Sequence, residues 1–167
     1  LEATEPMIDT NWQSFLETRG FTHTAASALQ APRTAPSNRP TLLDLSQLGM
    51  LEVGGEEAFD FLQGQLSNDL RPVMDGASQL SAYCNPTGRV LALFRVVRNK
   101  TGFGLIAPSE VLHSVLPRLR MYVLRAKVNI ETPQDFVSIG AAGAGMAALL
   151  LDTIGNAPQP GQTATTA

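Results

Sequence analysis

The chain is short of the residue types that most catalytic and metal sites need. Its 167 residues include one cysteine, Cys84, and two histidines, His23 and His113. A single cysteine excludes an internal disulfide and a multi-cysteine metal site, and it fits a reducing compartment, so we expect a cytoplasmic protein with no metal centre. His23 precedes a proline-rich stretch and His113 lies in a helical pattern, so neither is placed as the base of a triad. Zinc, P-loop and dinucleotide-binding signatures are missing from the sequence as well.

Long apolar runs and charged residues are also scarce. No stretch approaches 18 uninterrupted apolar residues, and the opening LEATEPMIDTNW has neither a basic nor an apolar signal region. Hydrophobic residues make up 44% and charged residues 16% of the chain, a composition typical of a globular protein. We therefore expect one folded core and no membrane partner.

Charge is distributed unevenly along the chain, although the net charge is only −3. Residues 44–75 carry seven acids and one base, whereas residues 89–127, the basic block, carry eight bases and one acid. The basic block could attract an anion such as a polyglutamate tail, a phosphate or RNA. Alternatively, the two stretches could attract each other within the fold.

Hydrophobic periodicity divides the chain into short strands and helices. It predicts a helix at residues 9–20, one at about 56–63 that breaks at Gly64, one capped by Ser109 and kinked at Pro117, and one at 146–151. It predicts a strand pair at 42–46 and 49–55, a three-stranded antiparallel meander at 79–85, 89–98 and 103–107, and strands at 127–131 and 136–140. This order favours an α+β fold with antiparallel strands and flanking helices.

Proline and small residues suggest a division of the chain into three parts. Pro32, Pro36 and Pro40 exclude regular helix or central strand, so residues 1–41 are expected to be an N-terminal helix and a proline-rich linker. Residues 42–151 are expected to form the folded body. Residues 152–167 resemble an interdomain linker or a frayed end.

Three polar constellations are candidate binding residues. The first is FLQGQLSND at 61–69, the second is the turn NPTGR at 85–89, and the third is RLRMYVLRAK at 118–127, where the spacing of four and three predicts that Arg118, Tyr122 and Arg125 share a helical face. We predict that they face one polar cavity for an anionic, ring-bearing ligand, with these candidate contacts: Asn68, Asp69, Asn85, Arg89, Arg118 and Arg125. The alternative is that they are caps, turn residues and solvated charges. Cys84 is expected to be a small buried core residue.

The same three stretches carry a family resemblance. LSQLGMLEVGGEEAFDFLQGQLSNDL, QLSAYCNPTGRVLALFRVV and LPRLRMYVLRAKVNI resemble, in this order and spacing, the N-terminal half of the YgfZ branch of the YgfZ/GcvT folate-binding family. The resemblance covers roughly residues 42–140. It implies a folate-binding α+β fold, tetrahydrofolate as cofactor, and a cytoplasmic or organellar accessory role in assembly or repair of iron–sulfur enzymes, including those that modify tRNA. The partners it implies are folate, iron–sulfur enzymes or assembly proteins, and the second half of the family fold.

Two departures from the family patterns bear on activity. The aminomethyltransferase branch has Gly-Gly-x-x-Asp-Asp where this chain reads GRVLAL at 88–93, without a carboxylate. The YgfZ branch also has a Lys-Gly-Cys-x-x-Gly-Gln-Glu signature in its second half, which is absent here, so we expect the chain to be half of the family fold. We expect a folate-binding accessory protein with no catalytic residue of its own. The alternatives are a tetrahydrofolate-dependent aminomethyltransferase, and an anion- or RNA-binding module without folate.

Overall fold

The computed structural model describes residues 10–20, 22–23, 29–30, 39–74, 77–100, 102–133, 136–158 and 163. The helices in these ranges are α1 (Thr10–Thr18), α2 (Ala58–Gln65), α3 (Arg71–Met74), α4 (Ser109–Val123) and α5 (Met146–Ile154). The strands are β1 (Thr22–His23), β2 (Leu29–Gln30), β3 (Thr41–Asp44), β4 (Leu48–Gly54), β5 (Gln79–Cys84), β6 (Val90–Arg98), β7 (Gly102–Pro108), β8 (Asn129–Glu131) and β9 (Ile139–Ala142). The α+β expectation, with antiparallel strands and flanking helices, is confirmed.

The main sheet is antiparallel and has the strand order β5-β6-β7-β4-β8. It contains the predicted meander of β5, β6 and β7, and it adds β4 and β8 at the β7 edge. The predicted pairing of the strands at 42–46 and 49–55 is wrong, because β3 pairs with β9 in a separate two-stranded sheet and β4 pairs with β7 and β8. β1 pairs with β2.

One face of the main sheet carries the core. Alternate residues of β6 are buried, with Ala92, Phe94 and Val96 at 4% exposure or less, as expected for a strand with one covered face. Helices α2 and α4 cover this face with their apolar stripes, which include Leu62 and Leu119. The stripes repeat every three to four residues, which is why these segments fold as helices against the sheet.

Two of the sequence expectations about helix ends are wrong. Helix α2 does not break at Gly64; it continues to Gln65, and Leu66 after it has an extended backbone. Ser109 does not cap α4, because it is the first helical residue and its hydroxyl donates to the carbonyl of Gln47 at 3.2 Å. Helix α4 then runs on through Pro117 to Val123.

The N-terminal helix contacts the folded body. Trp12 Nε1 donates a hydrogen bond to Asp44 Oδ1 at 3.2 Å, which joins α1 to the end of β3. The predicted helices at 9–20 and 146–151 correspond to α1 and α5. Residues 31–38 of the predicted linker and half of the predicted tail lie outside the described residues, and the three-part division stays a prediction.

The oppositely charged stretches meet at one ion pair. Lys127 Nζ lies 2.6 Å from Glu56 Oε2, and the Lys127 backbone N–H donates to the carboxylate of Glu57. Across the ranges that the structure describes, the other seven bases of the basic block are exposed and pair with no carboxylate. Mutual attraction of the two stretches therefore engages one base of eight. In the same ranges, no helix combines the length and the apolar character needed to cross a bilayer.

Candidate functional site

A pocket of about 250 Å³ lies where the end of α2, the end of β5 and the last turn of α4 meet. Its lining residues are Gly64, Gln65, Tyr83, Cys84, Asn85, Pro86 and Tyr122. They come from all three constellations that the sequence singled out, together with the end of β5. The structure therefore brings one part of each constellation to a common place.

Main-chain pairing holds the α2 end of the pocket against β5. Leu66 forms an isolated antiparallel bridge with Tyr83, and the Ser67 backbone N–H donates to the carbonyl of Ala82 at 2.9 Å. The register of β5 against β6 shifts between Tyr83 and Cys84. This irregularity ends the regular ladder at the pocket, as bulges commonly do beside binding sites.

Asn85 organises the turn that forms the pocket rim. Its Oδ1 accepts three hydrogen bonds, from Thr87 N at 3.1 Å, Thr87 Oγ1 at 2.8 Å and Arg89 N at 2.9 Å. Its backbone N–H donates to the Arg89 carbonyl at 2.9 Å and closes the turn. Since the oxygen is fully engaged, the side-chain NH₂ group is what Asn85 can offer to a ligand.

Two tyrosines and an arginine form the electrostatic centre of the site. Tyr83 is 4% exposed, and burial raises the pKa of its phenol above the ordinary value of 10.0. The neighbouring Tyr122 phenol raises that pKa further, whereas the Arg118 guanidinium opposes the shift because it favours the phenolate. At neutral pH the Tyr83 hydroxyl is therefore protonated and can donate a hydrogen bond.

Asn68 and Asp69 have structural partners. Asn68 Nδ2 donates to the Leu80 carbonyl at 3.0 Å, and its backbone N–H donates to the hydroxyl of the buried Ser81 at 3.1 Å. Asp69 Oδ1 accepts the Arg71 backbone N–H at 3.0 Å at the start of α3, and its Oδ2 lies 2.6 Å from Arg71 Nη2. Hydrogen bonding and the charge of Arg71 hold the pKa of Asp69 below 3.8. Neither residue is among those that line the pocket.

The three predicted arginines differ in position. Arg89 is exposed beyond the turn, and Arg118 lies one helical turn before Tyr122 on α4. The prediction that Arg125 shares this helical face is wrong, because α4 ends at Val123 and Leu124 follows with a positive φ of 44°. Of the six predicted contacts, Asn85 lines the pocket and Arg118 acts electrostatically on Tyr83. The role of the whole set in binding stays a prediction.

Sequence reasoning left the end of β5 out of the site. Tyr83 reads as an inward-facing strand residue, and it is one, but its ring also lines the pocket. Cys84 was expected in the core, whereas it is partly exposed as a free thiol in the pocket wall. The signal available in the sequence is the NPTG turn directly after Cys84, since a strand end beside a turn is where side chains become accessible.

The stretch at 88–93 presents no acidic group. Ala92 faces the core at 4% exposure and Leu93 faces outward at 55% exposure. Both belong to β6, opposite Tyr83 and Ala82 of β5. This part of the sheet offers no carboxylate for proton transfer or for stabilising positive charge.

The fold is shared with a known class of enzymes. The crystal structure of glycine cleavage system aminomethyltransferase T from Bartonella henselae matches with a TM-score of 0.71 and 22% identity, over 84% of this chain and 42% of that chain. At this identity the match shows the fold alone. The chain therefore has the fold of the matching region of that structure.

The sequence points to a particular branch of that fold. The tRNA-modifying protein YgfZ of Colwellia psychrerythraea is 25% identical over 135 residues, which are 81% of this chain and 42% of that protein. The tRNA-modifying protein YgfZ of Hamiltonella defensa is 31% identical over 103 residues, 62% of this chain and 31% of that protein. No protein-family model matches the chain. These similarities and the shared fold confirm the resemblance seen in the sequence: the chain is YgfZ/GcvT-like, and it spans about a third to two fifths of the length of these curated relatives.

Proposed function

We propose that the chain is part of a YgfZ-type accessory protein that supports tRNA modification. The observation that carries the proposal is the sequence similarity to proteins named tRNA-modifying protein YgfZ, over up to 81% of the chain. Since the chain spans less than half of those relatives, the complete activity is proposed for a protein that also contains the second half of the family fold.

We propose tetrahydrofolate as the cofactor of that protein. The residues present fit the acidic end of a folate, because Arg118 and Arg125 are exposed and, within the described part of the chain, pair with no carboxylate. Asn85 and Arg89 stand at the neighbouring turn. Asn68 would serve folate binding by fixing the segment after α2 to β5 through the Leu80 carbonyl, and Asp69 by holding the start of α3 through Arg71. Bound folate would supply a one-carbon carrier and a pterin ring.

We propose that iron–sulfur enzymes, or the proteins that assemble them, are the clients. This part of the proposal rests on the family resemblance, which joins the YgfZ branch to assembly or repair of iron–sulfur enzymes that modify tRNA. The lone Cys84 has no second cysteine with which to hold a cluster. In this proposal the cluster belongs to the client enzyme.

Aminomethyl transfer is not the activity we propose, although the fold is that of an aminomethyltransferase. Ala92 and Leu93 stand where the transferase branch has aspartates, and neither side chain can handle a proton. We expect the complete protein to bind tetrahydrofolate without releasing ammonia from an aminomethyl donor. Turnover of such a donor at the rate of an aminomethyltransferase would overturn this part of the proposal.

An exchange of domains tests the proposed role. The matching region of the Colwellia YgfZ is replaced by this chain, and the chimera is expressed in a bacterium that lacks its own YgfZ. We expect the modified nucleosides of tRNA, quantified by mass spectrometry, to return toward the level given by the parent YgfZ. A soluble chimera with the circular dichroism spectrum of the parent and no effect on tRNA would contradict the proposal. If the full exchange does not fold, a narrower exchange of residues 56–123 applies the same criterion.

A further inference from the structure

Exposed apolar side chains are concentrated in the small β3–β9 sheet and in helix α5. Fourteen large hydrophobic residues are exposed in the described part of the chain, and six of them form what we call the apolar surface: Leu42, Leu43, Ile139, Leu149, Leu151 and Ile154. Single exposed hydrophobic residues are normal on a protein, whereas a concentration of them marks an interaction surface.

Helix α5 is more exposed than its composition favours. Its sequence MAALLLDTI places apolar residues around nearly the whole circumference of the helix, and Asp152 is its one charged residue. Met146 is buried, but Leu149, Leu151 and Ile154 are between 47% and 58% exposed. A helix that is apolar all round is normally buried in a core. The outward side of α5 is therefore suited to packing against another protein surface.

The β3–β9 sheet is open on both faces and at both edges. It has two strands of four residues, and within the described residues no third strand joins it. Leu42 and Ile139 share one face, and Leu43 lies on the other, so each face exposes an apolar side chain. The Ser138 hydroxyl donates to the Leu48 carbonyl at 3.2 Å and ties the sheet to β4. A two-stranded sheet of this size is marginally stable alone, and its edges can pair with a further strand.

The chemistry of these elements fits a protein partner better than a nucleic acid or a membrane. β3, β9 and α5 contain no basic residue, whereas contacts to phosphates and to anionic lipids rely on Lys and Arg. The chain matches 42% of the Colwellia YgfZ and 42% of the Bartonella aminomethyltransferase. More than half of each of these proteins is therefore available to pack against the region that the chain matches.

We propose that the apolar surface is where the second half of the family fold docks, pairing with an open edge of the β3–β9 sheet and covering α5. The proposal rests on the proposed function only in that the complete protein contains this second half. The side chains of the apolar surface are then buried in the complete protein and exposed in the 167-residue chain alone. This difference between the two contexts can be measured.

A lysine in α5 reports whether the helix is covered. Leu151→Lys in the 167-residue chain keeps a good helix former at an exposed position, so the melting temperature should change by less than about 2 °C. In the chimera with the Colwellia YgfZ the same lysine would be buried without a partner, and the melting temperature should fall by about 5 °C or more. Met121→Lys is the matched control, since Met121 is 70% exposed on α4, and its effect should be small in both contexts.

The comparison of the two variants decides the proposal. A small effect of Leu151→Lys in both contexts, or equal falls for Leu151→Lys and Met121→Lys in the chimera, would overturn it. If the Leu151→Lys chimera does not fold, Leu151→Ala and Met121→Ala are compared in the same way. We then expect a fall confined to Leu151→Ala in the chimera, and equal effects of the two alanine variants would overturn the proposal.

Hydrogen exchange followed by mass spectrometry tests the pairing of the sheet edge. Peptides that cover β3, β9 and α5 should exchange at least tenfold more slowly in the chimera than in the 167-residue chain, because pairing and burial protect their amides. Peptides from β6 lie in the core in both contexts and should exchange equally. Unchanged exchange of β3, β9 and α5 would overturn the proposal.

Sedimentation and tRNA analysis separate this inference from its rivals. A chimera that forms dimers, and loses them with Leu151→Lys, would assign the apolar surface to a second copy and overturn the proposal. A fall in melting temperature confined to Leu151→Lys in the chimera, without restored tRNA modification, would support docking and contradict the proposed function. Restored tRNA modification with equal effects of Leu151→Lys in both contexts would overturn docking and leave the proposed function standing.

Discussion

Replacement of Gly64 by alanine tests whether α2 continues to the pocket. The sequence favours a break at this glycine, whereas the structure places it inside the helix, with no atom within 4 Å of an added methyl group. The backbone φ of Gly64 is not positive, so alanine can adopt the same conformation. Alanine at such a position stabilises a folded chain, because it narrows the unfolded ensemble and favours helix.

The size of the effect follows from the position near the end of the helix. A helix interior would give about 0.8–1 kcal/mol for glycine to alanine. In the last turn we expect about 0.5 kcal/mol, a rise in melting temperature of about 1–2 °C for a domain of this size. Gly88→Ala is the matched control, since Gly88 also has open space around it but has a φ of +81°. The left-handed conformation costs alanine about 1–2 kcal/mol, so this variant should melt several degrees lower.

Thermal and urea unfolding of the two variants, followed by circular dichroism, measures whether each substitution stabilises or destabilises the fold. We expect Gly64→Ala to unfold above the wild type and Gly88→Ala below it, so that they lie on opposite sides. A fall in the Gly64→Ala midpoint comparable to that of Gly88→Ala would mean that the chain turns at Gly64. The α2 wall of the pocket would then be wrongly placed.

Three further predictions concern groups in or beside the site. In the Tyr122→Phe variant Tyr83 is the one tyrosine left in the chain, and the midpoint of its alkaline absorbance titration should lie above 10.0, because burial is the largest cause of the raised pKa. A midpoint at or below 10.0 would contradict its burial. The Asp69 carboxyl should titrate below 3.8 by NMR, and Arg71→Gln should raise its pKa. Because the pKa is depressed in the folded state, the pair stabilises the fold at neutral pH, and this contribution is lost as the pH falls through the lowered pKa. An unchanged Asp69 titration in Arg71→Gln would refute the pairing. Asn85→Ala removes the acceptor of three hydrogen bonds and should lower the free energy of unfolding, measured by urea denaturation, by about 1–3 kcal/mol. An unchanged free energy of unfolding would show that the turn does not depend on Asn85.

Local periodicity predicts the elements of this chain better than their pairing. The alternation in β6 and the apolar stripe of α4 are properties of neighbouring residues, so they can be read directly from the sequence. The insertion of β4 between β7 and β8 depends on contacts between distant segments, and nothing local to residues 48–54 distinguishes it from pairing with β3.

Helix ends and the pocket show the same limit. Glycine is compatible with both a helix and a break, so Gly64 alone could not decide the end of α2. No glycine or proline marks the end of α4. The helix stops before Leu124, whose positive φ is a conformation that leucine rarely adopts. The basic block and the turn at Asn85 could be found from composition and turn chemistry. The place of Tyr83 and Cys84 in the pocket wall could not be predicted, because it depends on the register shift between β5 and β6, which exists only in the assembled sheet.

The proposed function is tested most directly by asking whether tRNA modification depends on Arg118. The chimera with the Colwellia YgfZ is prepared with Arg118→Gln and, as its control, with Lys100→Gln, and modified nucleosides in tRNA are quantified in the strain that lacks YgfZ. We expect modification to fall severalfold with Arg118→Gln and to be unchanged with Lys100→Gln, at equal amounts of soluble chimera. Full modification with Arg118→Gln would contradict the proposed role of Arg118 in folate binding.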